Sequence, residues 1–191
     1  MSLRRKGNVY YDFDTKNKSF LITAKDLKTN GVKNYYFFLA LYDPDLHGVD
    51  PYDENLSDVM RYKIITECIR NPWYFLREVS RIPEQGSGFI QFQLNRATLA
   101  AIWLFLNGID VYLTIARQIG KTQSMLAILL WAFLFGTTDS EILFLNLDQG
   151  RANANLFRLK AQRELLPEYL RFVSKIDEKT GKIEKGTDNV K

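Results

Sequence analysis

The strongest constraint on this chain is an ordered arrangement between residues 111 and 135. An apolar run, Val111-Tyr112-Leu113-Thr114-Ile115, leads into the short segment Ala116-Arg117-Gln118-Ile119-Gly120-Lys121. An apolar stretch with helical character then runs from Thr122 to Phe135. The first run lacks the polar–apolar alternation of a half-exposed strand, so it suits a strand buried on both faces. Ile142-Leu143-Phe144-Leu145 is a second run of the same kind. Strand, connecting helix and strand in this order predict a parallel sheet covered by helices.

A loop between such a strand and such a helix turns several backbone N–H groups toward one point. The positive end of the helix dipole adds to them, and the result is an anion cradle. Gly120 lets the backbone approach a phosphate closely. Lys121 brings a point charge toward the terminal phosphates, and the Thr122 hydroxyl is a candidate Mg²⁺ ligand. A cation at a helix N-terminus is unfavourable unless an anion sits there, which favours the same reading. Arg117 lies inside the loop. It has two readings: it stabilises charge on a transferred phosphoryl group, or it forms a structural ion pair. The usual pattern has a glycine five residues before the second one, and here that position is Ile115.

Composition narrows the class. The chain has 191 residues, enough for one ordinary domain with a real core, and 46% of them are hydrophobic, which argues against disorder. The formal net charge of +4 permits a nucleic-acid partner without demanding one. Cys68 is the sole cysteine, so no internal disulfide forms and a reducing compartment is expected. His47 is the sole histidine, which removes histidine triads and zinc clusters. The most apolar run, Met125 to Phe135, is about half the length of a bilayer span. A cytoplasm-like setting with no membrane partner is expected.

Residues 1–56 are predicted to be an extended, β-rich amino-terminal segment ending in an acidic loop. A hairpin is expected from Val9-Tyr10-Tyr11 and Phe20-Leu21-Ile22 around the polar stretch 14–18, and a strand from Tyr35 to Tyr42. Asp43 to Asp58 is acidic and broken by Pro44, Gly48 and Pro51. Its partial likeness to a calcium loop fails at His47 and Pro51. Residues 57–191 are predicted to be mainly helical, with Ser57 and Asn71 as caps and Pro72 in a first turn. Further helices are expected at 73–81, 93–106 and 153–166. Asn107-Gly108 is expected to end the second of these, and Gly86 and Gly88 to mark a turn. Lys179-Thr180-Gly181-Lys182 is expected to turn a hairpin in the charged tail.

Ala116-Arg117-Gln118-Ile119-Gly120-Lys121-Thr122 resembles the deviant phosphate loop of the large terminase subunits of tailed bacteriophages, the ATPases that pump DNA into capsids. Phe92-Gln93 looks like that family's glutamine motif. Asn71-Pro72-Trp73-Tyr74-Phe75-Leu76-Arg77-Glu78 with Arg81-Ile82-Pro83 looks like the segment before it. Glu164-Leu165-Leu166-Pro167-Glu168-Tyr169-Leu170 looks like the stretch after the second strand. The likeness spans roughly residues 40–175.

The resemblance implies the α/β fold of P-loop NTPases, incomplete here, with residues 57–191 as the first part of the ATPase domain. It implies ATP and Mg²⁺ as cofactors. Gln93 would read the adenine edge. Ala116, Arg117, Gln118, Ile119, Gly120, Lys121, Thr122 and Gln123 would line the phosphate site, with Thr122 on the metal. Arg117 and Lys121 would be catalytic, Arg117 acting either within its own chain or on a neighbour. The implied partners are double-stranded DNA, a portal protein, a small terminase subunit and further copies in a ring on the capsid. The implied location is the host cytoplasm, transiently on the procapsid. The second acidic motif and the nuclease domain are not found by residue 191, so an amino-terminal fragment with little turnover of its own is expected. Asp148 is a weak stand-in for the missing carboxylate. A helicase-like fragment and a non-catalytic nucleotide-binding assembly module are the two rival readings.

Overall fold

The computed structural model describes residues 3–84, 88–114, 120–136, 142–143 and 145–171. The chain opens with an antiparallel hairpin, β1 (Leu3–Lys6) and β2 (Val9–Asp12), turned at Gly7 with φ +63°. Helix α1 (Lys18–Thr29) follows. The Asn17 side chain accepts from the Ser19 N–H and fixes its start, and Phe20, Thr23 and Ala24 recur at helical spacing on its buried face. The predicted pairing of 9–11 with 20–22 is therefore replaced. Val9–Asp12 pairs with the residues before it, and Phe20-Leu21-Ile22 is helical.

The aromatic run 35–42 is mostly turn and 3₁₀-helix (Phe37–Leu39), and only β3 (Ala40–Leu41) joins β2 as a strand. Its aromatic side chains explain this. Phe38 packs edge-on against Phe20 at 5.9 Å, and Phe37 against Trp73 at 5.5 Å, so consecutive rings point inward where a strand would turn alternate ones out. The acidic stretch 43–56 is a loop with one 3₁₀ turn, Pro44–Leu46.

Helix α2 (Asp58–Arg70) is capped by Ser57, and α3 (Pro72–Tyr74) by Asn71, both as the sequence predicts. A π-helical turn, Phe75–Val79, extends α3 and buries Phe75, Leu76 and Val79. A hairpin of β4 (Arg81–Glu84) and β5 (Gly88–Gln91) comes next, where only a turn was expected. Helix α4 (Arg96–Leu106) has a capping box between Asn95 and Thr98, and it ends at Asn107-Gly108 with Gly108 at φ +67°. Helix α5 (Lys121–Trp131) runs on into a π-helical segment to Gly136. Helix α6 (Gln149–Glu164) completes the set, four residues earlier at its start than expected.

Among the described residues there are six α-helices and two small sheets, three-stranded β1-β2-β3 and two-stranded β4-β5, both wholly antiparallel. This corrects the expected α/β, parallel-sheet, P-loop NTPase-type class. Residues 111–114, 142–143 and 145 belong to no strand, and Tyr112 is 97% exposed. An apolar run states what a side chain prefers. A strand also needs a neighbouring backbone to take its N–H and C=O groups. The core instead lies among α1, α2, α3, α4 and α5 with the aromatic run, and Phe20, Phe38, Phe75, Phe92 and Ile102 are fully buried in it.

Candidate functional site

The candidate site is the start of α5. Gly120 is the residue before the helix and sits in the left-handed region, φ +76° and ψ 13°. An added Cβ would meet no atom within 4 Å, so the constraint there is conformational rather than steric. The Ser124 N–H donates to the Gly120 carbonyl at 3.0 Å and closes the first turn. Glycine has no side chain to cap that turn, and no acidic residue lies within it. The first N–H groups of any helix lack intrahelical partners, and here they emerge beside Lys121 and Thr122 at the positive end of the dipole.

The turn is held from behind. Ser124, Leu126, Ala127, Ile128 and Leu130 are buried. The Gln162 side-chain amide of α6 donates to the Gln123 Oε1 at 2.7 Å and to the Gln123 carbonyl at 3.3 Å. At the far end the Trp131 indole donates to the Cys68 carbonyl of α2 at 2.8 Å. The helix start is thus anchored to α6 and its end to α2, while Gly120 stays exposed and Lys121, Thr122 and Gln123 half-buried. These groups fit a phosphate: backbone donors, an ammonium and a hydroxyl, with no carboxylate in the turn.

Other predicted site residues fall elsewhere. Ile115, Ala116, Arg117, Gln118 and Ile119 lie outside the described residues, as does the tail hairpin at 179–182. Gln93 is exposed on the link between β5 and α4, and its amide donates back to the Gln91 carbonyl at 2.9 Å. Asp148 caps α6: its Oδ1 accepts from the Arg151 N–H at 2.8 Å, and its Oδ2 lies 3.3 Å from the Arg151 Nε. Among the described residues no group of three His, Cys, Asp or Glu side chains is placed to hold a metal ion. No helix among them is long and apolar enough to cross a membrane.

The charges of the acidic loop are taken up within the protein. Asp43 caps its 3₁₀ turn, and Asp43 and Asp45 both pair with Lys63. His47 Nε2 lies 3.5 Å from Asp12 Oδ1 and 3.6 Å from Asp14 Oδ2, which ties the loop to the hairpin. Cys68 is buried, and burial pushes its thiol well above the usual range, so it is an inert core residue.

Sequence reasoning missed the polar centre of the fold. Arg77 is fully buried, and its guanidinium donates to the Phe38 carbonyl at 2.9 Å and to Glu78 Oε1 at 2.7 Å. Glu78 Oε1 also accepts from the Thr15 hydroxyl at 2.7 Å. The Asn17 amide donates to the carbonyls of Arg77 and Phe92 at 3.1 and 2.9 Å. The available signal was an arginine flanked by Phe75, Leu76 and Val79, a setting in which a charge needs built-in partners.

Compared with models of protein families, the chain matches none, and no curated protein sequence matches it.

Proposed function

We propose that this chain binds the phosphates of ATP with Mg²⁺ at residues 116–123, as the amino-terminal part of a terminase-like DNA-packaging ATPase. The observation that carries the reading is the left-handed Gly120 opening a helix to which it gives no side-chain cap, with Lys121 and Thr122 in its first turn. In this reading the first N–H groups of α5 and the Lys121 ammonium hold the β- and γ-phosphates, and the Thr122 hydroxyl meets the metal. Arg117 is the candidate for charge developing on the transferred group, and Gln93 for the base. Gln123 supports the turn through Gln162 as well as lining it. Asp148 is committed to a helix cap, so these residues supply binding and positioning, and the reading assigns them little turnover.

Duplex DNA, a portal, a small terminase subunit and a ring of copies are the partners this reading supplies, in the host cytoplasm. Support for it comes from the likeness of the loop and of the three further stretches, in the family's order. The test is titration of the chain with a fluorescent ATP analogue. The parent is expected to bind with a Kd in the range of about 1–100 μM, and Lys121→Ala to weaken binding at least about tenfold. Equal binding by the parent and Lys121→Ala, or no binding by the parent at about 1 mM, sinks the proposal.

A further inference from the structure

The hairpin and α1 frame a groove of about 300 Å³ lined by Arg4, Phe13, Leu21, Ala24, Lys25, Lys28 and Tyr35. Its floor is apolar: Phe13, Leu21, Ala24 and Tyr35. Its rim is cationic, and Arg4, Lys25 and Lys28 are all exposed. None of the three has an ion pair among the described residues, and no carboxylate lines the groove. The nearest acid in sequence, Asp26, lies 3.6 Å from the Arg96 Nε of α4. The surrounding sequence continues the imbalance: residues 3–33 hold eight Lys and Arg against three Asp. Two of those three, Asp12 and Asp14, face His47.

We propose that this groove docks an acidic peptide segment of a partner protein, one apolar side chain seated on the floor and carboxylates on the rim. Size agrees, since a cavity of about 150 Å³ already accepts a benzene ring and this one is larger. Charge agrees, since three cations without carboxylate partners give an acidic segment both attraction and register. The same groove suits a nucleic acid poorly. Base stacking needs open aromatic faces, and here the Arg4 guanidinium lies over the Phe13 ring at 4.8 Å and the Lys28 ammonium over Tyr35 at 5.7 Å. A phosphodiester chain also has nothing to place on an apolar floor.

The test uses the full chain without nucleotide, so its outcome is independent of the phosphate-site reading. A short fluorescein-labelled peptide alternating Glu and Phe is titrated by anisotropy at low salt. The expected Kd is about 10–100 μM. The triple variant Arg4→Glu, Lys25→Glu, Lys28→Glu is expected to weaken it at least about tenfold, with an unchanged circular dichroism spectrum because all three side chains are exposed. A Glu/Ser peptide of the same charge is expected to lose a similar factor, and Lys121→Ala to lose none. Four results overturn the proposal: no peptide binding by the parent, retained binding by the triple variant, equal binding of the Glu/Ser peptide, or tighter binding of a single-stranded oligonucleotide of matched charge. A fifth is concentration-dependent self-association of the parent that the triple variant abolishes, because the groove would then be occupied by a second copy.

Discussion

The region up to residue 84 and the stretches 109–114, 142–143 and 145–147 contain similar kinds of apolar sequence and treat them in opposite ways. In the first, Phe20, Phe38, Leu39, Tyr74 and Phe75 are buried, and backbone groups of Phe38, Ala40, Tyr42 and Arg77 are paired by the side chains of Arg77, Asn71, Glu67 and Asn17. In the second, Tyr112 is 97% exposed and Leu143, Leu145 and Leu147 are each 81% exposed. The difference lies in long-range polar anchors. Asn17 reaches residues 60 and 75 positions away, and the Glu67 carboxylate holds the N–H groups of Tyr42 and Asp43. Such anchors let a buried backbone meet its hydrogen-bonding needs outside a sheet.

The most severe way to break the contrast is Arg77→Ala. It removes the partner of Glu78 and leaves the carbonyl of Phe38 without its donor in the core. Breaking a buried pair from one side costs about 3–5 kcal/mol, so the urea midpoint should fall sharply or the chain should fail to fold. Asn17→Ala comes next. It strips the α1 cap and the donors to the Arg77 and Phe92 carbonyls, at about 2–3 kcal/mol. A loss below about 0.5 kcal/mol for either would show that the anchors are ornaments on a core that packs without them.

Tyr52 gives a smaller effect with a pH signature. Its single hydroxyl hydrogen is shared between the carbonyls of Val79 and Leu165, whose oxygens lie 2.6 and 3.0 Å away, fastening the acidic loop to the end of α6. Burial pushes its pKa up from 10.0 to about 12. The unfolded chain therefore releases this proton first. The stability tied to it is whole below pH 10 and is lost as the pH rises toward about 12. Tyr169, also raised by burial, adds to the same slope. Tyr52→Phe should cost about 1–2 kcal/mol at neutral pH and flatten part of the alkaline loss, followed by urea midpoints at increasing pH. An alkaline profile identical to the parent's would count against the buried donor.

How much of this was legible follows from the same division. Caps are local chemistry, so Ser57, Asn71-Pro72 and Asn107-Gly108 announced three helix boundaries correctly. The β4–β5 hairpin went unread because Arg81 was given to an expected helix over 73–81, with only a turn at Gly86 and Gly88; Pro83 is tolerated in a two-stranded ribbon whose every strand is an edge. The run Phe20-Leu21-Ile22 looked like a strand because its partners, Phe38 and Phe92, are far away in sequence. At the candidate site the helix start at Gly120-Lys121 was legible from one glycine and one apolar run. The role of Gln162 behind Gln123 was not, since nothing in a lone glutamine 39 residues away marks it as a brace. Asp148, read as a weak carboxylate stand-in, is a cap, which its place before a helical stretch could have suggested.

The smallest expected effect sharpens the comparison most. Leu143→Gln and Leu145→Gln replace leucines that are 81% exposed, so each should change stability by no more than about 0.5 kcal/mol. Removing exposed apolar surface should also make the chain less prone to associate at high concentration, an effect sedimentation can follow. The two measurements are diagnostic together. If either substitution cost more than about 2 kcal/mol, that leucine would be covered in solution, and the second region would have a packing partner like the first. The midpoint shift in dilute chain, where association is absent, would then separate cover from within the molecule from cover by a second copy. Only the former survives dilution unchanged.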